Sequence, residues 1–181
     1  LETARKVGFE NISIDLMFGL PEQTPEDFAP SVDQALALRL PHISAYSLKV
    51  EENTLFYTLY EKKQLPLPSE DEELEMYRTV IGRTKKAGYR HYEISNFAWP
   101  GFESRHNQTY WKNESYYGLG AGAHGYVLGK RHVNISGIQE YIDALKEGLP
   151  VKESWEVTEN EAMEEHMILG LRLLSGVRKS D

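Results

Sequence analysis

Hydrophobic and polar positions alternate from Asn11 to Leu16. Ile12, Ile14 and Leu16 fall on one face and Ser13 and Asp15 on the other, which is the two-residue period of a strand. Gly19-Leu20-Pro21 interrupts that pattern. Thr24 then offers an N-cap hydroxyl, Pro25 takes the first helical position, and Val32, Leu36, Leu38 and Leu40 supply the apolar side of a helix. A second strand is expected over 42–48. Strand, helix and strand within about 37 residues make a βαβ unit, whose crossover implies parallel strands. Ser69 and Glu72 form a capping box for another helix through Ala87, closed by Gly88, and residues 89–93 read as a third strand. The first half therefore runs β-α-β-α-β, the rhythm of an α/β barrel or an open sheet.

The second half has a different pattern. Tyr126–Leu128 and His132–Ile135 flank Gly129-Lys130, which reads as a two-residue hairpin turn. Ser136 and Gln139 are expected to cap a short helix to Lys146. Thr158 and Glu161 are expected to cap a longer one to Leu174, with Met163, Met167, Leu171 and Leu174 on one side. Gly and Pro place an internal boundary near Gly148–Lys152. The expected divisions are 1–98, 99–150 and 151–181. The opening LETARKVGF reads as the end of a helix entering a strand, so the chain is expected to be a piece of something longer.

Composition narrows the function classes. Hydrophobic residues at 40% can fill a core. The net charge is −8 and no basic stripe exists, which argues against nucleic-acid binding. No run of about 18 apolar residues occurs, so no membrane span is expected. The 181 residues include no cysteine, which excludes disulfides and any thiolate-ligated site within the chain and points to a cytoplasmic setting.

Several residues can carry chemistry. Asp15 ends a parallel strand, where ligands of α/β folds bind; it can accept hydrogen bonds from ribose hydroxyls or an ammonium, or be satisfied by a neighbouring strand. Tyr46 and Lys49, at the end of the next strand, open onto the same face as a purine-stacking ring and a cation, or as a filling aromatic and a surface lysine. His106 can ligate a haem iron, with Tyr110 and Trp111 as flat apolar neighbours, or can be a packing histidine. If this stretch is helical, His106 shares a face with Tyr110, and Asn107 with Trp111. Gly120-Ala-Gly122-Ala-His124-Gly125 matches GxGxxG by letter, but a strand-like segment follows it, so no dinucleotide site is expected. Those glycines instead permit tight turns and close backbone approach.

DLMFGLPEQT (Asp15 to Thr24), HISAYSLKVEENT (His42 to Thr54), YEISNFA (Tyr92 to Ala98), HNQTYW (His106 to Trp111) and GLGAGAHGY (Gly118 to Tyr126) together resemble the oxygen-independent coproporphyrinogen III oxidase-like family of radical S-adenosylmethionine (SAM) proteins, in its HemW-type haem-chaperone branch. The resemblance implies an α/β fold: the later half of a partial (β/α) radical SAM barrel, then a small hairpin-containing α+β region and a truncated C-terminal helical domain. It assigns Asp15, Tyr46 and Lys49 to the SAM region. It assigns His106, Asn107, Tyr110 and Trp111 to the HNxxYW haem motif, with His106 as iron ligand. It implies SAM, a 4Fe–4S cluster and haem as cofactors of the whole protein, and a haem-acceptor protein as partner. The alternative within the family is the oxidase, which decarboxylates a porphyrinogen by radical chemistry. The family's CxxxCxxC cluster motif is absent, so this chain alone is expected neither to bind the cluster nor to cleave SAM. The barrel strands it lacks would leave an unpaired edge, so it is expected to self-associate or to cover that edge with its own N-terminus.

Overall fold

The alternation at Asn11–Leu16 becomes β1, Ser13–Phe18, in the computed structural model, which describes residues 1–178. Contacts divide the chain into two units, Leu1–Glu103 and Ser104–Asp181.

The first unit runs α1 (Glu2–Lys6), β1, α2 (Pro25–Ala37), β2 (His42–Ser47), α3 (Leu55–Glu61), α4 (Glu70–Lys86), β3 (Arg90–Glu93) and β4 (Asn96–Ala98). β1 and β2 are parallel, with Ser13 opposite His42 and Phe18 opposite Ser47, as the βαβ reading requires. The capping boxes form as expected. Thr24 Oγ1 accepts from the Asp27 amide at 3.2 Å, and Ser69 Oγ from the Glu72 amide at 3.3 Å.

The third strand does not follow β2 directly. The sheet order is β1-β2-β4-β3, with β4 antiparallel to both of its neighbours. Ser95 adopts φ 85°, so the chain reverses at once after β3. Asn96, Phe97 and Ala98 are then buried between the two longer strands. The apolar side of α2 also differs from expectation. Phe28, Val32 and Ala35 are its buried residues, whereas Leu38 lies beyond the helix and is exposed, and Leu40 is buried in the following loop. The 28/32/35 spacing keeps to one helical face; Leu38, six residues past Val32, does not. Phe28 and Val32 from α2 and Met76 and Val80 from α4 pack on Phe18, Ile43, Ala45 and Phe97. Each large side chain buried there contributes about 1.5–3 kcal/mol of transfer free energy.

The second unit runs α5 (Arg105–Trp111), β5 (His124–Val127), β6 (Lys130–Asn134), α6 (Ile138–Glu147), β7 (Val151–Glu156) and α7 (Glu159–Gly170). β5, β6 and β7 form an antiparallel sheet in that order. The hairpin turn lies one residue earlier than expected. Val127 pairs with Lys130, and Leu128 and Gly129 take φ 51° and 75°. Two successive positive φ values are those of a type I′ turn, whose twist matches the strands. α6 starts one residue beyond the expected Ser136 cap. Gly137 is its N-cap and makes no side-chain bond. Residues 151–156, read as following a boundary, join the sheet as β7. Thr158 and Glu161 form the expected capping box, and α7 ends at Gly170 rather than Leu174. Among the described residues no helix is long and apolar enough to cross a membrane.

Candidate functional site

In the first unit the register collects polar side chains on one sheet face. Ser13 lies opposite His42, Asp15 opposite Ser44, Met17 opposite Tyr46, and Ser44 opposite Asn96. Alternation directs these residues to the side away from Phe18, Ile43 and Phe97. His42 is 7% exposed. Its Nδ1 is 2.8 Å from Ser13 Oγ and its Nε2 is 2.9 Å from the Tyr92 hydroxyl. Burial holds the His42 pKa below its ordinary value, and the charge of Asp15 opposes this only in part. The neutral ring donates through one nitrogen and accepts through the other.

Asp15 and Tyr46 are both exposed on this face. Tyr46 also lines a cleft of about 490 Å³ with Phe18, Ser47, Glu73 and Tyr77, at the carboxyl ends of β1 and β2 where α/β folds place ligands. Lys49 is not brought to them. Its ammonium lies 2.9 Å from Glu51, and its side chain is 82% exposed. Glu93, fully buried, accepts a hydrogen bond from Asn96 Nδ2.

In the second unit the HNxxYW stretch is helical, because Ser104 caps it: its Oγ accepts from the Asn107 amide at 3.2 Å. His106 and Tyr110 share a flank, with ring centroids 4.8 Å apart and the rings packed edge to face. Tyr110 in turn meets Tyr116 at 4.5 Å. The His106 imidazole is exposed and accessible. Asn107 is half-buried, and Trp111 packs. The Arg172 guanidinium lies 4.2 Å over the Trp111 ring, and the Trp111 indole nitrogen is buried with no hydrogen-bond partner among the described residues.

A cleft of about 380 Å³, at the lower end of the roughly 300–1,000 Å³ usual for ligand sites, opens beside this helix. Tyr110, Trp111, Tyr116, Arg131, Glu165 and Leu169 are among its lining. Arg131 Nε donates to Glu165 Oε1 at 2.8 Å and Nη2 to Glu165 Oε2 at 2.6 Å. Nη2 also donates to Asn113 Oδ1 at 3.1 Å. The hydrogen bond from Arg131 holds the Glu165 carboxyl below its ordinary pKa.

The glycine-dense segment serves the backbone. A methyl group at Gly118 would collide with the His124 carbonyl, and one at Gly125 with the His132 ring. Asn134, 4% exposed, donates through Nδ2 to Gly118 O at 3.1 Å and Gly120 O at 3.0 Å. β5 follows the glycines with no helix, and His124 is exposed on that strand, so the segment is a close-packed turn.

An accessible imidazole beside aromatic rings fits a haem. The cluster does not fit this chain. Iron–sulfur clusters are held by thiolates, and the chain has no cysteine. Among the described residues no group of three or more His, Cys, Asp or Glu side chains could hold a metal ion.

Sequence reasoning missed Ser13, His42, Tyr92, Arg131 and Glu165. The first two carried a readable signal: in a parallel βαβ unit the strand starts, Ser13 and His42, fall side by side. Arg131 and Glu165, 34 residues apart, carried none.

No family model matches the chain. Among curated proteins it is 52% identical over 179 residues, 98% of its length, to the "Heme chaperone HemW" of Bacillus subtilis (strain 168), of which it covers 47%. It is 46% identical over 177 residues, again 98% of its length, to the protein of the same name from Lactococcus lactis subsp. lactis (strain IL1403), of which it covers 46%. The chain thus spans about half the length of the curated relatives it matches. Among solved structures it matches the coproporphyrinogen III oxidase (HemN) of Escherichia coli, described as a radical SAM enzyme, with a TM-score of 0.73 and 22% identity. That match covers 95% of this chain and 42% of the other, and it shows a shared partial radical SAM fold. Over nearly its whole length the chain is thus similar to curated proteins named haem chaperone HemW, and it shares its fold with part of a radical SAM structure.

Proposed function

We propose that the protein carrying this chain binds haem beside α5, with His106 as an iron ligand, and delivers it to an acceptor protein. One observation carries the reading. An exposed imidazole is braced edge-on by Tyr110 next to an aromatic-lined cleft, all within one unit. Neutral imidazole is a suitable axial ligand, and the names of the relatives in this branch agree with haem as the ligand. Asn107 and Trp111 support the helix rather than touch the iron. SAM and a 4Fe–4S cluster belong to the intact protein. Asp15 and Tyr46 face the SAM region, Lys49 stands at its margin, and the thiolates come from outside this chain. A cytoplasmic setting is part of the same reading.

The test is a haem titration of the intact protein beside its His106→Ala variant, followed by absorbance. Saturable binding with a histidine-type Soret band, lost in the variant, is the expected result. Equal binding by both would remove His106 from the site, and turnover of coproporphyrinogen by the intact protein would favour the oxidase. The isolated segment is expected to self-associate through β1, an edge strand paired only with β2 among the described residues. A monomer at all concentrations in sedimentation would count against this.

A further inference from the structure

We propose that Arg131 recognises a carboxylate of the ligand, so that the cleft beside α5 takes a flat aromatic molecule bearing acid side chains, as a porphyrin with propionates does. The inference rests on the haem reading and adds which residue holds the ligand's acidic edge.

An aromatic wall connects an imidazole to a guanidinium. The His106 ring meets Tyr110 at 4.8 Å, and Tyr110 meets Tyr116 at 4.5 Å. The Tyr116 hydroxyl stands 3.3 Å from Arg131 Nη1. A haem held through its iron by the His106 imidazole would extend its propionate-bearing edge along that wall toward the guanidinium.

The cation is built into the site. The Arg131 side chain is 18% exposed and stands among Tyr110, Trp111, Ile168 and Leu169. Few polar groups in a largely apolar pocket fix a ligand's orientation. A guanidinium is a rigid planar fork matched to carboxylates. Glu165 already engages Nε and Nη2, and Asn113 also accepts from Nη2. Among the described residues the remaining nitrogen, Nη1, makes only the long hydrogen bond to Tyr116, while the guanidinium lies 4.6 Å over the Tyr126 ring. Glu165 and Asn113 therefore act as positioning residues that aim Nη1 into the cleft, where a ligand carboxylate replaces the weak tyrosine contact.

The intact protein and two variants, Arg131→Gln and Glu165→Gln, would be titrated with haem and with haem dimethyl ester, which lacks the charges. The parent is expected to bind haem about tenfold more tightly than the ester, as suits one charge-assisted contact. Arg131→Gln should abolish that preference. Glu165→Gln, which removes a competing anion, should keep or widen it. A purely structural ion pair would weaken both ligands alike in both variants. Equal affinity of the parent for acid and ester overturns the inference and leaves the haem reading standing; no binding of either ligand overturns both. If Arg131→Gln melts early, the double variant Arg131→Gln/Glu165→Gln sets amide against amide, and a preference retained there also overturns the inference.

Discussion

His42 and Tyr92, 50 residues apart in the chain, meet with Nε2 2.9 Å from the phenolic oxygen, while the opposite nitrogen of the same ring stands 2.8 Å from Ser13 Oγ. The buried imidazole thereby ties the starts of β1 and β2 to the end of β3.

This arrangement makes stability depend on pH. Burial lowers the folded pKa of His42, and of His91, below the ordinary 6.5. Below that value the unfolded chain binds more protons than the folded one, so stability falls as pH drops through 6.5 and goes on falling to the lower folded pKa. Carboxylates with lowered pKa, such as Glu165, act in a separate window below 4.5. The melting temperature should hold above about pH 7 and decline as pH falls below about 6.5. His42→Gln should flatten part of that decline. A flat profile over the same interval in the parent would contradict the account.

Asn96 is the donor held against Glu93, and the two are 7% and 0% exposed. Asn96→Ala removes that donor from a buried carboxyl group. The expected loss is about 1–3 kcal/mol in urea denaturation. A change within error would mean that Glu93 is satisfied elsewhere.

Gly118 admits the His124 backbone because it has no Cβ. Gly118→Ala should separate the glycine turn from β6 and cost about 1–3 kcal/mol. Faster amide exchange at Asn134 and Gly122, whose backbone donors bridge this junction, would report it. Protection equal to the parent's at both amides would refute the packing argument.

Leu128 is 90% exposed and sits at φ 51° in the first central position of the hairpin turn. Leucine gains no packing there and suffers the left-handed penalty of about 1–2 kcal/mol. Leu128→Asn creates an Asn-Gly turn and should raise stability by about 1 kcal/mol. A lower unfolding midpoint in the variant would show that the leucine makes a contact worth more than the strain.

What the sequence alone determined is the local physics. Thr24, Ser69 and Thr158 each stand three residues before an acid, and each begins a helix as that spacing requires. The alternation in β1 and the βαβ connection implied the parallel pair, and the HNxxYW spacing set His106 beside Tyr110 once a helix formed. These features depend on neighbours within a turn or a pleat, so they leave a periodic trace in the chain. Only the tertiary structure decided that β4 enters between β2 and β3, that His42 is buried against Ser13 and Tyr92, and that Arg131 meets Glu165 at the edge of the cleft. Such contacts join residues tens of positions apart, with no repeat to mark them. They exist because folding brings distant polar groups into one low-dielectric place, where each must find a partner.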